Sequence, residues 1–158
     1  AIGVSIYEPS EALEALGLDI DYIQVPYNAL DQRLDQNGFF DGADEKGVTV
    51  FARSPFLQGL LLMKPEDIPL HLEKARPYIE SFIEIAKRHD LSQLAAALIF
   101  AVHGRADHVV FGVEKKTQLT ECLSTVALTG HESFVEEIQK RFNDVDSFVV
   151  NPSLWNKK

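Results

Sequence analysis

The sequence predicts an α/β fold built on a parallel sheet. Three observations carry that expectation. Short apolar runs recur at residues 2–7 (IGVSIY), 23–28 (IQVPYN), 51–59 (FARSPFLQG) and 109–113 (VVFGV), each stopping at small or polar residues. Each run leads into a helix-like segment, so the order reads β-α-β-α-β-α-α-β-α-α. Residues 48–52 are β-branched and nearly all apolar, the pattern of a strand buried on both faces.

The elements follow in order. Residues 1–7 read as the first strand. A short helix starts at Pro9, with Ser10 as its N-cap and Gly17 as its stop. Residues 22–25 form the second strand, ended by Pro26, which removes a ladder donor. Residues 30–46 read as mostly helical, with a break near Asn37 and Gly38 and closure at Gly47. Residues 48–52 are the third strand. Residues 54–68 form a long loop with Pro55, Gly59 and Pro65, and loops of that length tend to be functional or mobile. Residues 69–88 read as one long helix, with Leu70, Tyr78, Phe82 and Ile85 at near-helical spacing and a bend at Pro77. Residues 92–102 form an alanine-rich helix capped by Ser92 and ended by Gly104. Residues 109–112 are the fourth strand. An amphipathic helix over 117–129 places Leu119, Cys122, Leu123 and Val126 on one side, and residues 131–142 form another. The tail to Lys158 reads as irregular.

The bulk numbers bound the function classes. The chain has 158 residues and is 46% apolar, enough for one domain with a real core. Its net charge is −9, and an acidic chain without a basic stripe argues against nucleic-acid binding. The lone cysteine, Cys122, cannot close an internal disulfide, which points to a reducing compartment and a cytoplasmic protein. No apolar stretch approaches the ~20 residues of a membrane span, and the N-terminus does not read as a signal peptide. Residue 1 already stands at the start of a strand, so the chain reads as a fragment or as one piece of a larger fold.

Parallel α/β folds bind ligands at the C-terminal ends of their strands. That places Ser5, Gln24, Arg53, Ser54 and Gly112 under examination. Ser5 is either a ligand contact or a buried serine bonded to backbone. Gln24 is an amide in an apolar strand and needs a partner, either a ligand amide or a neighbouring strand. Arg53 must meet a carboxylate, a phosphate, an aromatic face or water. Lys115 and Lys116 precede Thr117, the expected N-cap. Two cations at a helix N-terminus oppose its dipole, and either a bound anion or solvation with Glu114 and Glu121 accounts for them. The five histidines fall in no metal-ligand spacing and read as structural or surface residues. Cys122 reads as a core residue. The sequence shows no nucleophile–base pair and no Gly-rich dinucleotide fingerprint.

The wording GVSIY, IQVPYN, DQR and ARSPFLQGLL is dense through Leu62, and a weaker match follows at FGVEKKTQLTE, residues 111–121. On these motifs the whole chain resembles the C-terminal half of an aldo/keto reductase. The resemblance implies the fifth to eighth βα units of a (β/α)8 TIM barrel. A complete barrel takes about 250 residues. It also implies NADP(H) extended across the strand ends. Ser5 and Gln24 match residues that hold the nicotinamide carboxamide, while Ile6 stands where asparagine is common. Arg53 stands in place of a tyrosine that stacks on the nicotinamide ring, and a guanidinium can stack too. Ser54, Phe56 and Gln58 match the loop over the pyrophosphate. Gly112, Val113, Lys115, Gln118, Glu121 and Cys122 match the adenosine-phosphate segment. Gln118 replaces a usual arginine and Cys122 a usual asparagine, with Lys115 or Lys116 left to meet a 2′-phosphate. The family's catalytic aspartate, tyrosine, lysine and histidine belong to the first four units, so no residue here is expected to transfer protons.

The expectation is therefore one domain, residues 1–158, forming the cofactor-binding portion of an enzyme that interconverts a small-molecule carbonyl and an alcohol by hydride transfer. Its expected partner is the missing N-terminal half-barrel or a second copy, with no nucleic acid and no membrane. The rival is a non-catalytic half-barrel that binds a nucleotide or oligomerises without turnover.

Overall fold

Four short strands, β1 (Gly3–Ser5), β2 (Tyr22–Pro26), β3 (Thr49–Arg53) and β4 (His108–Val110), pair in parallel in the order β1-β2-β3-β4. The structure is a computed structural model and describes residues 1–127 and 130–155. Sequence neighbours are sheet neighbours throughout, whereas a doubly wound sheet reverses its order at a switch point. The α/β alternation expected from sequence is present.

The register sorts the side chains into two faces. Val4, Ile23 and Val50 align in one row, and Val25, Ala52 and Val109 in another. These rows face the helices, and Ile23, Val25, Val50 and Ala52 are buried. The alternate rows hold Ser5, Gln24, Phe51 and His108, then Pro26, Arg53 and Val110. On this second face Tyr22 and Val110 keep 42% and 41% of their surface exposed. β3 is thus buried on one face only, which corrects the expectation of a strand covered on both. No described element covers the second face. Tyr22, Phe51 and His108 pack along it, with ring centroids 6.0 and 4.8 Å apart.

The helices are α1 (Pro9–Ala15), α2 (Phe39–Lys46), α3 (Arg76–Arg88), α4 (Gln93–Val102), α5 (Lys116–Val126), α6 (Glu132–Arg141) and α7 (Ser147–Val150). The core lies between them and the sheet. Tyr27 is its hinge: its ring stacks on Phe100 at 5.6 Å and meets Phe40 edge-on at 5.7 Å. Residues 95–101 of α4 are buried on all sides, as an alanine-rich apolar helix allows. Ser92 caps α4 as expected, its Oγ accepting from Ala95 N–H at 3.1 Å.

Several expected boundaries move, each for a local reason. The N-cap of α1 is Glu8, not Ser10. Pro9 then fills the first helical position, where its missing N–H costs nothing. Glu11 reaches back to accept from Tyr7 N–H at 2.9 Å and Glu8 N–H at 2.8 Å. The expected helix over 30–46 shrinks to α2. Asn28 Oδ1 accepts from Leu30 N–H and Asp31 N–H, both at 3.1 Å, but Asp31 O accepts from Asn28 N–H at 3.2 Å and Gln32 Nε2 donates to Ala29 O at 2.7 Å, so these carbonyls serve a turn instead of a helix. Gly38, at φ +77°, then supplies the left-handed step into α2. Pro77 does not bend a long helix; it sits in the first turn of α3, and a 3-10 turn over Leu70–Ala75 precedes it. The α5 cap is Lys115 rather than Thr117. The expected end of that helix at Thr129 lies outside the described residues. The tail contains α7 and a 3-10 turn at Pro152–Leu154, fastened by Trp155 Nε1–H to Phe148 O at 2.8 Å. No helix among the described residues is long and apolar enough to cross a membrane.

Candidate cofactor cleft

Two zones form at the strand ends. The first lies on the open sheet face. Register places Ser5 beside Gln24, and Ser5 Oγ–H donates to Gln24 Oε1 at 3.2 Å. Each therefore has a partner on the neighbouring strand, and the Gln24 amide nitrogen makes no further protein bond among the described residues. Ile6 points to the helix side and is buried. Arg53 meets an aromatic face: its guanidinium carbon is 4.4 Å from the Tyr7 ring centroid. It also donates to Ile6 O at 2.9 Å and Ser54 Oγ at 3.3 Å. Arg53 is half-buried, so solvent, ring and carbonyl together satisfy it.

The second zone adjoins the first through Ser54. It is a cleft of about 590 Å³ between the segment after β3 and the segment joining β4 to α5. Of the residues expected from sequence, Ser54, Phe56, Gln58, Gly112, Val113, Gln118 and Cys122 line it. Lys115, Lys116 and Glu121 do not; they are exposed on α5 and its cap. Phe56 and Phe111 stand on opposite walls, edge to face, at 6.3 Å. A Cβ at Gly59 or Gly112 would meet nothing within 4 Å, so both glycines open directly on the cleft. The cleft has the volume of a small-molecule site, mostly apolar walls, and Ser54, Gln58, Glu114 and Gln118 as its polar side chains.

The wall after β3 is a strained loop. Ser54, Leu57 and Gln58 hold φ of 61°, 46° and 53°, and Gly59 holds 88°. A left-handed non-glycine residue costs about 1–2 kcal/mol. Such a shape persists only when the surroundings over-determine it. Here Leu57, Leu60 and Leu61 are buried and act as anchors. Gln93 Nε2 donates to Leu61 O at 2.8 Å and Met63 O at 3.0 Å. Asn28 Nδ2 donates to Ser54 O at 3.2 Å. The loop is thus pre-organised by residues from α4 and from the end of β2.

On the opposite wall Gln118 has a defined task. Its Oε1 accepts from Glu114 N–H and Lys115 N–H, each at 2.9 Å, which closes the first turn of α5. Cys122 is buried and its thiol pKa is raised, chiefly by burial and then by the nearby Glu121 charge. That suits a wall residue and not a thiolate nucleophile.

Sequence reasoning missed Asn28, Gln93 and Glu114. Asn28 follows Pro26-Tyr27 at a strand end, a position where asparagine makes turns, and that signal was available. Glu114 lines the cleft directly, in the stretch where the neighbouring lysines drew attention.

The motif DQR, residues 31–33, is structural. Arg33 pairs bidentately with Asp31 at 2.8 and 3.1 Å and reaches Glu8 at 3.0 Å. Asn151 Nδ2 donates to the other Glu8 oxygen at 2.5 Å, which ties the C-terminal segment to α1. Among the described residues, no group of three or more His, Cys, Asp or Glu could hold a metal ion.

Comparison with known proteins agrees with this architecture. No functionally curated protein matches the sequence. Two solved structures of aldo-keto reductase AKR11C1 from Bacillus halodurans are similar. The holo form superposes with TM-score 0.69 at 22% identity, over 94% of this chain and 52% of that one. The apo form gives TM-score 0.68 at 25% identity, over 87% of this chain and 49% of that one. The chain therefore spans about half the length of these relatives. The model of the Aldo/keto reductase family matches residues 1–141, nearly the whole chain, and this protein belongs to that family.

Proposed function

We propose that this chain is the cofactor-binding part of an oxidoreductase, forming the fifth to eighth βα units of a (β/α)8 aldo/keto reductase barrel over residues 1–158. The observation that carries this is the cleft itself: the predicted loop residues and the predicted α5 residues meet across about 590 Å³, next to the Ser5–Gln24 pair. When bound, the nicotinamide dinucleotide supplies the hydride that converts a carbonyl to an alcohol. Ser5 and Gln24 hold the carboxamide, with the spare Gln24 amide N–H as donor. Arg53 flanks the ring. The strained loop from Ser54 to Gly59 covers the pyrophosphate, and the wall from Gly112 to Cys122 takes the adenosine. No residue of this chain is assigned proton transfer. The sequence expectation of NADP(H) rests on Lys115 or Lys116 meeting a 2′-phosphate, and both stand outside the cleft lining. The two forms of the cofactor differ by that one phosphate.

The uncovered sheet face and the two open edges, β1 and β4, suit the wall of a barrel completed by the N-terminal half or by a second copy. Family membership does not favour the non-catalytic module. A cytoplasmic setting belongs to the same proposal.

Direct titration tests the reading. NADH or NADPH added to the chain should show enhanced reduced-nicotinamide fluorescence and a saturable heat on calorimetry. A folded chain that binds neither overturns it. Light scattering tests the partner: a monodisperse monomer with no affinity for the N-terminal half would refute the pairing.

A further inference from the structure

We infer that the cleft takes NAD(H) in preference to NADP(H), with Glu114 as the residue that discriminates; this rests on the dinucleotide-binding reading above. The charge inventory of the cleft carries the inference. Among the residues that line it, one bears a formal charge at neutral pH, and that charge is the Glu114 carboxylate. A phosphate monoester adds about −1.5 to −2 of charge at neutral pH. A ribose 2′-hydroxyl instead offers an O–H, which a carboxylate accepts. The wall next to Gly112 therefore suits the diol and repels the phosphate.

Two further observations remove the usual compensation. Lys115 and Lys116 follow Glu114 directly, yet neither lines the cleft and both are exposed. The N–H groups of Glu114 and Lys115, just ahead of the first turn of α5, are bonded to Gln118 Oε1 at 2.9 Å and so are not offered to a phosphate beside Glu114. The net charge of −9 acts in the same direction over longer range.

The test titrates the full chain separately with NADH and with NADPH, following reduced-nicotinamide fluorescence and calorimetric heat. NADH is expected to bind tighter by about tenfold or more, the scale of a like-charge juxtaposition of a few kcal/mol softened by solvent. Glu114→Gln should narrow the gap, and Glu114→Lys should reverse it. In Lys115→Ala/Lys116→Ala the NADH to NADPH ratio should stay near its original value. Equal affinities, tighter NADPH binding, an unchanged ratio in Glu114→Gln, or a selective loss of NADPH binding in the lysine variant would each overturn the inference. Binding of neither nucleotide to a folded chain would instead overturn the dinucleotide reading, and this inference with it.

Discussion

Replacing Asn28 with alanine should destabilise the chain and loosen the cleft loop together. Asn28 is fully buried. Its side chain makes three bonds: Oδ1 accepts from Leu30 N–H and Asp31 N–H at 3.1 Å, and Nδ2 donates to Ser54 O at 3.2 Å. Asn28→Ala strands the Leu30 and Asp31 N–H groups, whereas Ser54 O keeps its bond from Leu57 N–H at 2.9 Å. A stranded buried group costs ~1–3 kcal/mol, and bonds at the long end of the range belong at the lower end of that cost. The total is about 2 kcal/mol, which for a chain of this size lowers Tm by about 4–8 °C. The assay is thermal unfolding by far-UV circular dichroism, with the urea midpoint as a second measure. Hydrogen exchange supplies the local readout. Residues 54–61 should lose amide protection beyond the global change, because Ser54 O is the link between the β2 end and the strained loop. A drop in Tm under about 2 °C would refute the energetic reasoning, since it corresponds to less than ~1 kcal/mol. Unchanged protection in residues 54–61 would refute the link.

Three more outcomes follow from the geometry. Gly104→Ala places a Cβ 2.4 Å from Tyr27 Cε1, and Tyr27 is held between Phe40 and Phe100. A loss of roughly 1–3 kcal/mol or more is expected in chemical denaturation, and a neutral result would mean the ring moves freely. Ser92→Ala removes the α4 cap and should cost ~1 kcal/mol, with Ser92→Asp retaining most of it. Glu11 has its pKa lowered, first by the bond from Glu8 N–H and then by that from Tyr7 N–H. A depressed carboxylate stabilises the fold above its unfolded-state value, and that contribution is lost as pH falls through the folded value. A urea series between pH 7 and pH 2 should therefore show Glu11→Gln less acid-sensitive than the parent, and identical slopes would exclude the role.

The βα alternation and the Ser92 cap were legible in the sequence because each depends on residues close together along the chain. Periodicity reports which face of an element is apolar, and a cap lies three residues from its target. The family wording likewise placed Ser54, Phe56, Gln58, Gly112 and Gln118 together. Local pattern went wrong where a side chain had two backbone options. Residues 30–37 have helix-like composition, yet the carbonyls of Ala29 and Asp31, which a helix would need as acceptors, are taken by Gln32 Nε2 and by Asn28 N–H. Pro77 looked like a bend because Leu70, Tyr78, Phe82 and Ile85 share near-helical spacing, which merged the 3-10 turn over Leu70–Ala75 with α3.

By itself, the sequence determined a parallel α/β chain of the aldo/keto reductase family and half of the residues that meet at its cleft. Only the tertiary structure decided that Glu114 lines that cleft while Lys115 and Lys116 stand outside it. Three adjacent residues share one local pattern, and which of them reaches the cleft depends on how the segment after β4 lies against the loop after β3. Only the tertiary structure, too, decided that β3 is covered on one face. Apolar composition records what a strand can bury, whereas burial itself depends on whether another layer of chain lies against it.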